Sequence, residues 1–463
     1  MLLYLLGILV VVVGLALSIG LHELGHLVPA KLFGVRVGQY MIGFGKTLWS
    51  RKRGETEYGI KAIPLGGYIS MSGMYPPAKA GGRSRTASTG FFQTLVQDAG
   101  PGDDTLANDT PERKSRFGGL ATEARAASAA TVVAGEEHRT FYNLAVWKRI
   151  VIMLGGPAMN LLIGIGLYAV LVSGFGIPQV STTIGSVSKC VISQSDTRSG
   201  CTSADPAAPG AAAGLEPGDR LVSMNGTAVT AWEQATATIR ESAGKPLTIA
   251  IERGGRPLTL ESVPLLTERI VYDGNQAVQN VNGTPVTEEV GFLGVGPAYE
   301  TVRQPLTAVL PAVGTNIGAV VHLIFNLPDR LIDIVNAAFG PQERDPNGPM
   351  SVVGVGRIAG EITSLDTLPV VDRVSSLVGL LASLNIALFV FNLVPLMPLD
   401  GGHVAGALWE GLRRRVAKLF GRPDPGPVDT AKIIPLTFVV VILLGSMSAL
   451  LIYADIVKPI SIL

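Results

Sequence analysis

The sequence predicts a polytopic α-helical membrane protein. It has four transmembrane helices, a β-hairpin region on the cytoplasmic side and a small β/α domain outside. The 463 residues are 47% hydrophobic and only 16% charged, whereas soluble domains carry roughly 25% charged residues. Four apolar segments are each long enough to cross a hydrocarbon core of ~30 Å. The net charge of +1 gives no indication of nucleic acid binding, and we expect no nucleic acid partner.

The first span covers residues 1–28 and ends in an unusual cluster of ionisable residues. An uncharged run over residues 2–21 leads into His22-Glu23-Leu24-Gly25-His26. A cleavable signal peptide is a weak alternative, because no basic region precedes the run and no small-x-small site closes it. On a helix, His22 and His26 share one face and can reach one metal ion.

Glu23 lies beside the two histidines and could accept a proton from water. Such groups cost roughly 2.5–3.5 kcal/mol each near the bilayer centre, so a compensating role is expected. Ligation of Zn²⁺ supplies that role, and a buried, hydrogen-bonded histidine pair without metal is the alternative.

Two regions follow the first span. Residues 29–75 alternate in hydropathy and contain Pro64-Leu65-Gly66-Gly67-Tyr68, a pattern typical of membrane-associated β-hairpins. Residues 76–146 are rich in Pro, Gly, Ala, Ser and Thr, which predicts a flexible cytoplasmic insertion, with a small regulatory element as the alternative.

Three further spans are expected at residues 147–175, 374–403 and 433–456. The second contains Gly155-Gly156-Pro157-Ala158-Met159-Asn160, whose small residues permit close helix packing. Asn160 must find a polar partner within the bilayer, and a packing role is at least as plausible as a catalytic one.

Residues 180–268 have the composition of a soluble domain. The stretch Ala213-Gly214-Leu215-Glu216-Pro217-Gly218-Asp219-Arg220-Leu221 resembles the signature of bacterial PDZ domains. That resemblance implies binding of a peptide or C-terminus by strand addition, and a small β-domain without peptide affinity is the alternative. Residues 269–373 are expected to form a linker and an amphipathic helix lying against the membrane.

The distribution of basic residues predicts the topology of a multi-pass protein of the plasma membrane. With four spans, the basic residues near span ends all fall on one side, which is therefore the cytoplasm. A fifth span at 305–327 would break this pattern. The PDZ-like region then faces outside, where Cys190 and Cys201 could form a disulfide, with two free thiols as the alternative. The basic residues are Lys31, Arg36, Lys46, Arg51, Lys52, Arg53, Lys148, Arg149, Arg413, Arg414, Arg415, Lys418 and Arg422.

A catalytic zinc ion usually has three protein ligands and one open position. Asp400 and His403 are the candidates for the third ligand, because both lie at the inner end of the third span. Pro395 and Pro398 interrupt the helix before them. Irregular backbone at membrane depth is tolerated only where it is buried in protein or lines a cavity.

Together these motifs resemble the site-2 protease family of intramembrane zinc metalloproteases. They are His-Glu-x-x-His in the first span, Asn392-x-x-Pro395-x-x-Pro398-Leu399-Asp400-Gly401 in a later span, and the PDZ-like region between them. The likeness covers nearly the whole chain and is greatest to actinobacterial members that act on anti-sigma factors. Residues 76–138 depart from it, being longer and less patterned than expected.

The resemblance implies that Asp400 is the third ligand and that His403 supports or packs against the site. It also implies that Asn392 holds the substrate backbone. We further expect Pro395, Pro398, Gly66 and Gly67 to contact the substrate, since these residues form the irregular turn and the β-region near the site.

We therefore expect an intramembrane zinc metalloendopeptidase with its active site near the cytoplasmic side of the bilayer. Its expected substrates are single-span, anti-sigma-factor-like membrane proteins, cleaved within or near the span after a first cut outside the cell. A peptide-binding scaffold is less compatible with the intact His22, Glu23, His26 and Asp400. A metal transporter would need more ionisable residues along the spans than the sequence has.

Overall fold

The chain consists of two compact units, Met1–Phe175 with Pro305–Leu463, and Gly176–Gln304. Most of the expected insertion at 76–146 lies outside the residues that the structure describes. The computed structural model describes residues 1–76, 87–88, 132–133, 135–192, 200–273, 276–277, 286–340, 344–345, 348–429 and 433–460.

The helices are, in chain order, α1 (Leu2–Leu32), α2 (Val146–Ala169), α3 (Pro209–Ala212), α4 (Trp232–Glu241), α5 (Val309–Phe325), α6 (Leu327–Phe339), α7 (Val352–Ser364), α8 (Val370–Asn392), α9 (Asp400–Leu419) and α10 (Ile434–Val457). The strands are β1 (Val37–Arg53), β2 (Thr56–Met71), β3 (Ala87–Ser88), β4 (Ile177–Val187), β5 (Arg220–Met224), β6 (Thr227–Ala228), β7 (Leu247–Arg253), β8 (Arg256–Ser262), β9 (Leu265–Ile270), β10 (Tyr272–Asp273), β11 (Gln276–Ala277), β12 (Thr287–Phe292) and β13 (Val295–Val302).

Five helical segments among the described residues are long and apolar enough to cross a membrane. Four of them correspond to the four predicted spans. The fifth, Leu306–Phe325, lies where the sequence predicts an amphipathic helix on the membrane. Length and composition do not distinguish a fifth span from a surface helix, so the four-span arrangement stays a prediction. Several of these segments together do make the chain a multi-pass membrane protein.

Helix α1 is the centre of the first unit. Its Gly7 lies so close to α7 that a Cβ there would be 2.3 Å from the Ala359 carbonyl oxygen. Val11 and Leu15 continue the same contact surface, where they pack with Val355 and Leu377. Small residues therefore let two apolar helices approach closely, as is common for helices packed in membranes.

The β-region after α1 is a folded-back hairpin in which the middle segment pairs on both sides. Met41 lies opposite Gly59 on one side and opposite Tyr68 on the other. Gly67 and Tyr68 pair with Ile42 and Met41, and no strand in the described part of the chain pairs with their outer side. The sheet thus presents an edge at Gly67 and Tyr68, where another extended chain can pair.

The segment just before α2 packs under this sheet, although its sequence predicts part of a flexible insertion. Phe141 is buried with Leu27, Val35 and Ile69. Arg139 forms an ion pair of 2.8 Å with Glu55. This apolar and ionic contact anchors the chain between the insertion and the second span.

The third predicted span differs from the observed helices at its inner end. Helix α8 ends at Asn392 rather than continuing to residue 403. The chain then turns through Pro395 and Pro398, and a new helix begins at Asp400. Proline lacks the amide proton that a helix needs, so two prolines three residues apart separate α8 from α9.

The second unit is built on an antiparallel sheet with strand order β13-β4-β5-β7-β8. Its core contains Ile184, Leu221, Ile249 and Leu293, packed beneath α4. Strands β12 and β13 belong to this unit, although the sequence predicts a linker there. They do so because β13 pairs along β4, and β12 pairs with β9.

A disulfide and a hydrogen-bonded ion pair stabilise this unit. Cys190 and Cys201 are joined by a disulfide. Arg253 donates two hydrogen bonds of 2.6 and 2.7 Å to the buried Asp219 carboxylate. These bonds hold the pKa of Asp219 below its usual range, although burial opposes the shift.

Candidate metal centre

Three potential metal ligands converge from two helices. Helix α1 carries His22 and His26 one turn apart, and Asp400 opens α9. The Asp400 Oδ2 atom is 3.3 Å from each histidine Nε2 atom, and the two Nε2 atoms are 3.2 Å apart. All three side chains are largely buried, with 12%, 3% and 14% of their surfaces exposed for His22, His26 and Asp400.

This triangle of donor atoms fits a zinc ion. Bonds of 2.0–2.1 Å in a tetrahedron separate neighbouring ligands by roughly 3.3–3.4 Å, close to the distances found here. Asp400 Oδ2 is buried and lacks a hydrogen-bond partner among the described residues. A buried carboxylate oxygen is costly unless it is paired or bound to a metal. Two imidazoles and one carboxylate also form a known set of catalytic zinc ligands.

A backbone contact from α2 orients His26. Its Nδ1 atom lies 2.7 Å from the Ile152 carbonyl oxygen. Since a carbonyl only accepts, Nδ1 carries the proton, and the Nε2 lone pair is free to bind a metal ion.

Asn160 makes the corresponding contact to His22, because its side-chain amide lies 3.1 Å from Nδ1. The amide nitrogen faces Nδ1, while Oδ1 is buried without a partner in the described part of the chain. The nitrogen and oxygen of an amide are assigned from such networks, and we infer that the amide is turned by 180° so that its oxygen faces Nδ1. Oδ1 then accepts from Nδ1–H, and His22 Nε2 is free for a metal ion.

Glycines bring α1 and α2 close enough for these contacts. A Cβ on Gly25 would lie 2.2 Å from the Gly155 carbonyl oxygen. A Cβ on Gly156 would lie 2.2 Å from His26 Nε2 and 2.8 Å from His22 Cε1. Gly156 therefore provides the space in which both imidazoles sit.

Asp400 is fixed by packing at the start of α9. A Cβ on Gly401 would lie 2.4 Å from the carbonyl oxygens of Leu393 and Val394, so the helix begins tightly against the preceding turn. Farther along α9, Glu410 forms a buried ion pair with Arg149 of α2. The helix bearing Asp400 is thereby attached to the helix that orients both histidines.

Glu23 faces the β-region. It is only 8% exposed, and its Oε2 atom has no hydrogen-bond partner among the described residues. A Cβ on Gly67 would lie 3.0 Å from Glu23 Cγ, so this strand passes directly over the carboxylate-bearing side chain.

The Tyr40 hydroxyl, in the same β-region, donates a hydrogen bond of 2.7 Å to the Gly20 carbonyl of α1. Burial, followed by the nearby Glu23 charge, raises the pKa of Tyr40 to about 12, which keeps this donor protonated.

The structure brings Gly67 to Glu23, whereas Gly66 lies against the Phe44 ring. Asn392 is the half-buried last residue of α8, and Pro395 and Pro398 lie in the turn leading to Asp400. His403 follows Asp400 within the first turn of α9 and is partly buried.

The partners of the histidines could not be identified from the sequence. Asn160 gave a signal, because an isolated amide in a span requires a partner, but nothing in the sequence linked it to His22. The Ile152 carbonyl gave none, since a backbone acceptor has no side-chain signature.

A buried His₂Asp site beside a glutamate, with both histidines on a helix suited to a bilayer, defines a metal-dependent hydrolase of the membrane. The chain belongs to peptidase family M50, the site-2 proteases, whose family profile matches residues 10–422. It is similar to the zinc metalloprotease Rip1 of Mycobacterium tuberculosis, with 31% identity over 98% of each chain. Rip1 of Mycolicibacterium smegmatis is 30% identical over 99% of this chain and 98% of its own. Metalloprotease MmpA of Caulobacter vibrioides is 26% identical over 89% of each.

The chain is therefore a multi-pass zinc metalloprotease. The family predicted from the two motifs is confirmed, as are the zinc cofactor and the enzyme class.

Proposed function

We propose that the protein cleaves peptide bonds within the membrane, with His22, His26 and Asp400 as zinc ligands and Glu23 as general base. The observation that carries this proposal is the triangle of three donor atoms with edges of 3.2–3.3 Å. Two of its corners and Glu23 lie on α1, a helix long and apolar enough to span a bilayer.

Glu23 performs the proton transfers in this mechanism. It accepts a proton from the attacking water and later donates it to the leaving amine, as positioned carboxylates do in general acid–base catalysis. Its Oε2 atom has no partner in the described part of the chain, so the oxygen is available to that proton. Zinc, when bound, supplies a Lewis acid that polarises the scissile carbonyl and makes water more acidic.

The β-region is suited to hold an unwound substrate beside Glu23. A substrate helix satisfies its own backbone hydrogen bonds, so its cleavable segment must first become extended. The sheet edge at Gly67 and Tyr68 offers backbone groups to such a segment. We assign Asn392 to the substrate backbone on the other side of the site, with Pro395 and Pro398 shaping that wall and Gly66 supporting the edge strand.

We further propose that the substrates are single-span, anti-sigma-factor-like proteins that have already been cut outside the cell. The basic residues near span ends favour a cytoplasmic site and an extracytoplasmic second unit. A span trimmed outside carries no bulky domain that would hinder its entry between the helices.

We assign the second unit to a PDZ domain that acts as a size filter rather than as a peptide receptor. Strand β12 lies directly on α4, since a Cβ on Gly291 would be 2.2 Å from the Ile239 carbonyl oxygen. Arg240 and Glu288 form an ion pair between the same two elements. We infer that β12, held on α4 by these contacts, takes the place that an added peptide strand would occupy.

The test uses the full-length zinc-loaded enzyme and a single-span substrate already trimmed outside. Glu23→Gln should abolish cleavage while zinc content stays at the wild-type level, and Glu57→Gln in the β-region is the matched control that should still cleave. Asp400→Ala should lower zinc content. Cleavage by Glu23→Gln would refute the general base, and full zinc content in Asp400→Ala would refute the ligand set.

A further inference from the structure

Helix α9 presents an apolar face that nothing in the described part of the chain covers. The spacing of its exposed residues, three or four apart, places them along one side of the helix. The opposite side is buried at Ala407 and Glu410. The exposed apolar residues and their exposed fractions are Leu408 56%, Trp409 56%, Leu412 52%, Val416 45%, Leu419 81% and Phe420 69%.

A groove of about 440 Å³ runs along this face. Trp409, Leu412, Val416 and Phe420 form its apolar floor. Arg413 stands at one wall, where it donates a hydrogen bond of 3.4 Å to the Pro425 carbonyl.

Arg413 and Arg422 line the groove, and further cations lie on α9. On the helix, Arg413 and Arg415 lie on opposite borders of the apolar stripe, and Lys418 and Arg422 follow toward its end. None of these four forms an ion pair within the residues that the structure describes. Arg414, by contrast, pairs with Glu410 at 3.1 Å and with Asp424 at 3.6 Å.

The position of α9 in the chain places it at a membrane surface. It connects α8 and α10, both long and apolar enough to span the bilayer. A helix between two spans lies at the one surface where the first ends and the second begins. An apolar face with a tryptophan, bordered by arginine and lysine, is typical of helices in the interfacial plane.

We propose that this groove binds an anionic phospholipid of the adjacent leaflet. The apolar floor takes an acyl chain, and Arg413, Arg415 and Arg422 bind the phosphate and headgroup. A second copy of this chain fits less well, because a two-fold contact through this face would bring its unpaired cations together.

The experiment titrates full-length, zinc-loaded protein in detergent with brominated phosphatidylglycerol or phosphatidylcholine and follows quenching of tryptophan fluorescence. Phosphatidylglycerol should bind more tightly than phosphatidylcholine, and Trp409→Phe should remove most of the quenching. Soluble glycerol phosphate should not displace the lipid, since it lacks the acyl chain.

The charge variant is Arg413→Gln, Arg415→Gln and Arg422→Gln combined. Near an anionic surface each charge is worth about fivefold in binding, so this variant should lose tenfold or more of its affinity for phosphatidylglycerol. Its matched control is Arg51→Gln, Lys52→Gln and Arg53→Gln, three exposed cations of the β-region, and should bind nearly as wild type. Unchanged zinc content shows that each variant is folded.

Equal affinity of wild type and charge variant for phosphatidylglycerol would overturn the proposal. So would a lipid-independent dimer that the variant Leu412→Glu dissolves, because the face would then belong to a second copy. Neither result depends on proteolytic activity, so failure here is distinguishable from failure of the proposed mechanism.

Discussion

Replacing Asn160 by alanine should weaken zinc binding by removing the acceptor for His22 Nδ1–H. The amide is 3.1 Å from Nδ1, and Asn160 is only 1% exposed, so bulk water replaces it poorly. Leaving a buried donor unsatisfied costs about 1–3 kcal/mol. Loss of an outer-shell partner typically lowers metal affinity about 10- to 100-fold, and we expect a loss in this range.

The assay is a competitive zinc titration of metal-free, full-length protein against a chromophoric chelator. Asn160→Asp is the informative companion, because a carboxylate keeps the acceptor and should retain most of the affinity that alanine loses. The matched control is Asn316→Ala, which removes another amide of the helix bundle, bonded to Ser383 at 3.2 Å. Its zinc affinity should equal that of wild type.

Two results would refute the reasoning about Asn160. Wild-type zinc affinity in Asn160→Ala would show that the contact does not orient His22. Affinity in Asn160→Asp as low as in Asn160→Ala would show that the amide nitrogen, not the oxygen, faces the ring.

Three other predictions follow from the packing and charges described above. Gly156→Ala should lower zinc content sharply, because its methyl group would overlap His26, whereas Gly166→Ala, with open space around it, should not. Glu410→Gln should lower the unfolding midpoint, since breaking a buried ion pair costs roughly 3–5 kcal/mol; an unchanged midpoint in a thermal scan would contradict this. Asp219 has a depressed pKa, so its contribution to stability is present above its usual pKa and is lost as the pH falls through the lowered value. Thermal scans across the acid range should therefore show a smaller loss of stability with Asp219→Asn, and identical pH profiles would count against the Arg253 contact.

The sequence predicted those parts of the protein in which reactive side chains lie next to a clear hydrophobic pattern. His22, Glu23 and His26 follow an unbroken apolar run, which located both the span and the candidate ligands. Pro395 and Pro398 predicted an interruption of the helix before Asp400, but they did not indicate that a separate helix begins there.

Features that depend on distant pairing were not predictable in this way. The pairing of β13 with β4 joins residues more than 100 positions apart, such as Val295 and Val187, and short strands near a domain boundary resemble a linker. The segment Leu306–Phe325 has glycine, proline and apolar residues that suit either a span or a surface helix. The partner of His22 could not be predicted either, because Asn160 is distant in the sequence and contacts His22 only when α1 and α2 pack together at their glycines.

The division of the metal centre between α1 and α9 also bears on how the enzyme is made. Synthesis begins at the N-terminus, so the two histidines are made with the first helix, and Asp400 follows only after the second unit and α8. A nascent chain therefore has no three-donor site until α9 docks on α2 through Arg149 and Glu410. With His22, His26 and Asp400 as the proposed zinc ligands, proteolytic competence requires the assembled fold rather than the first helix alone.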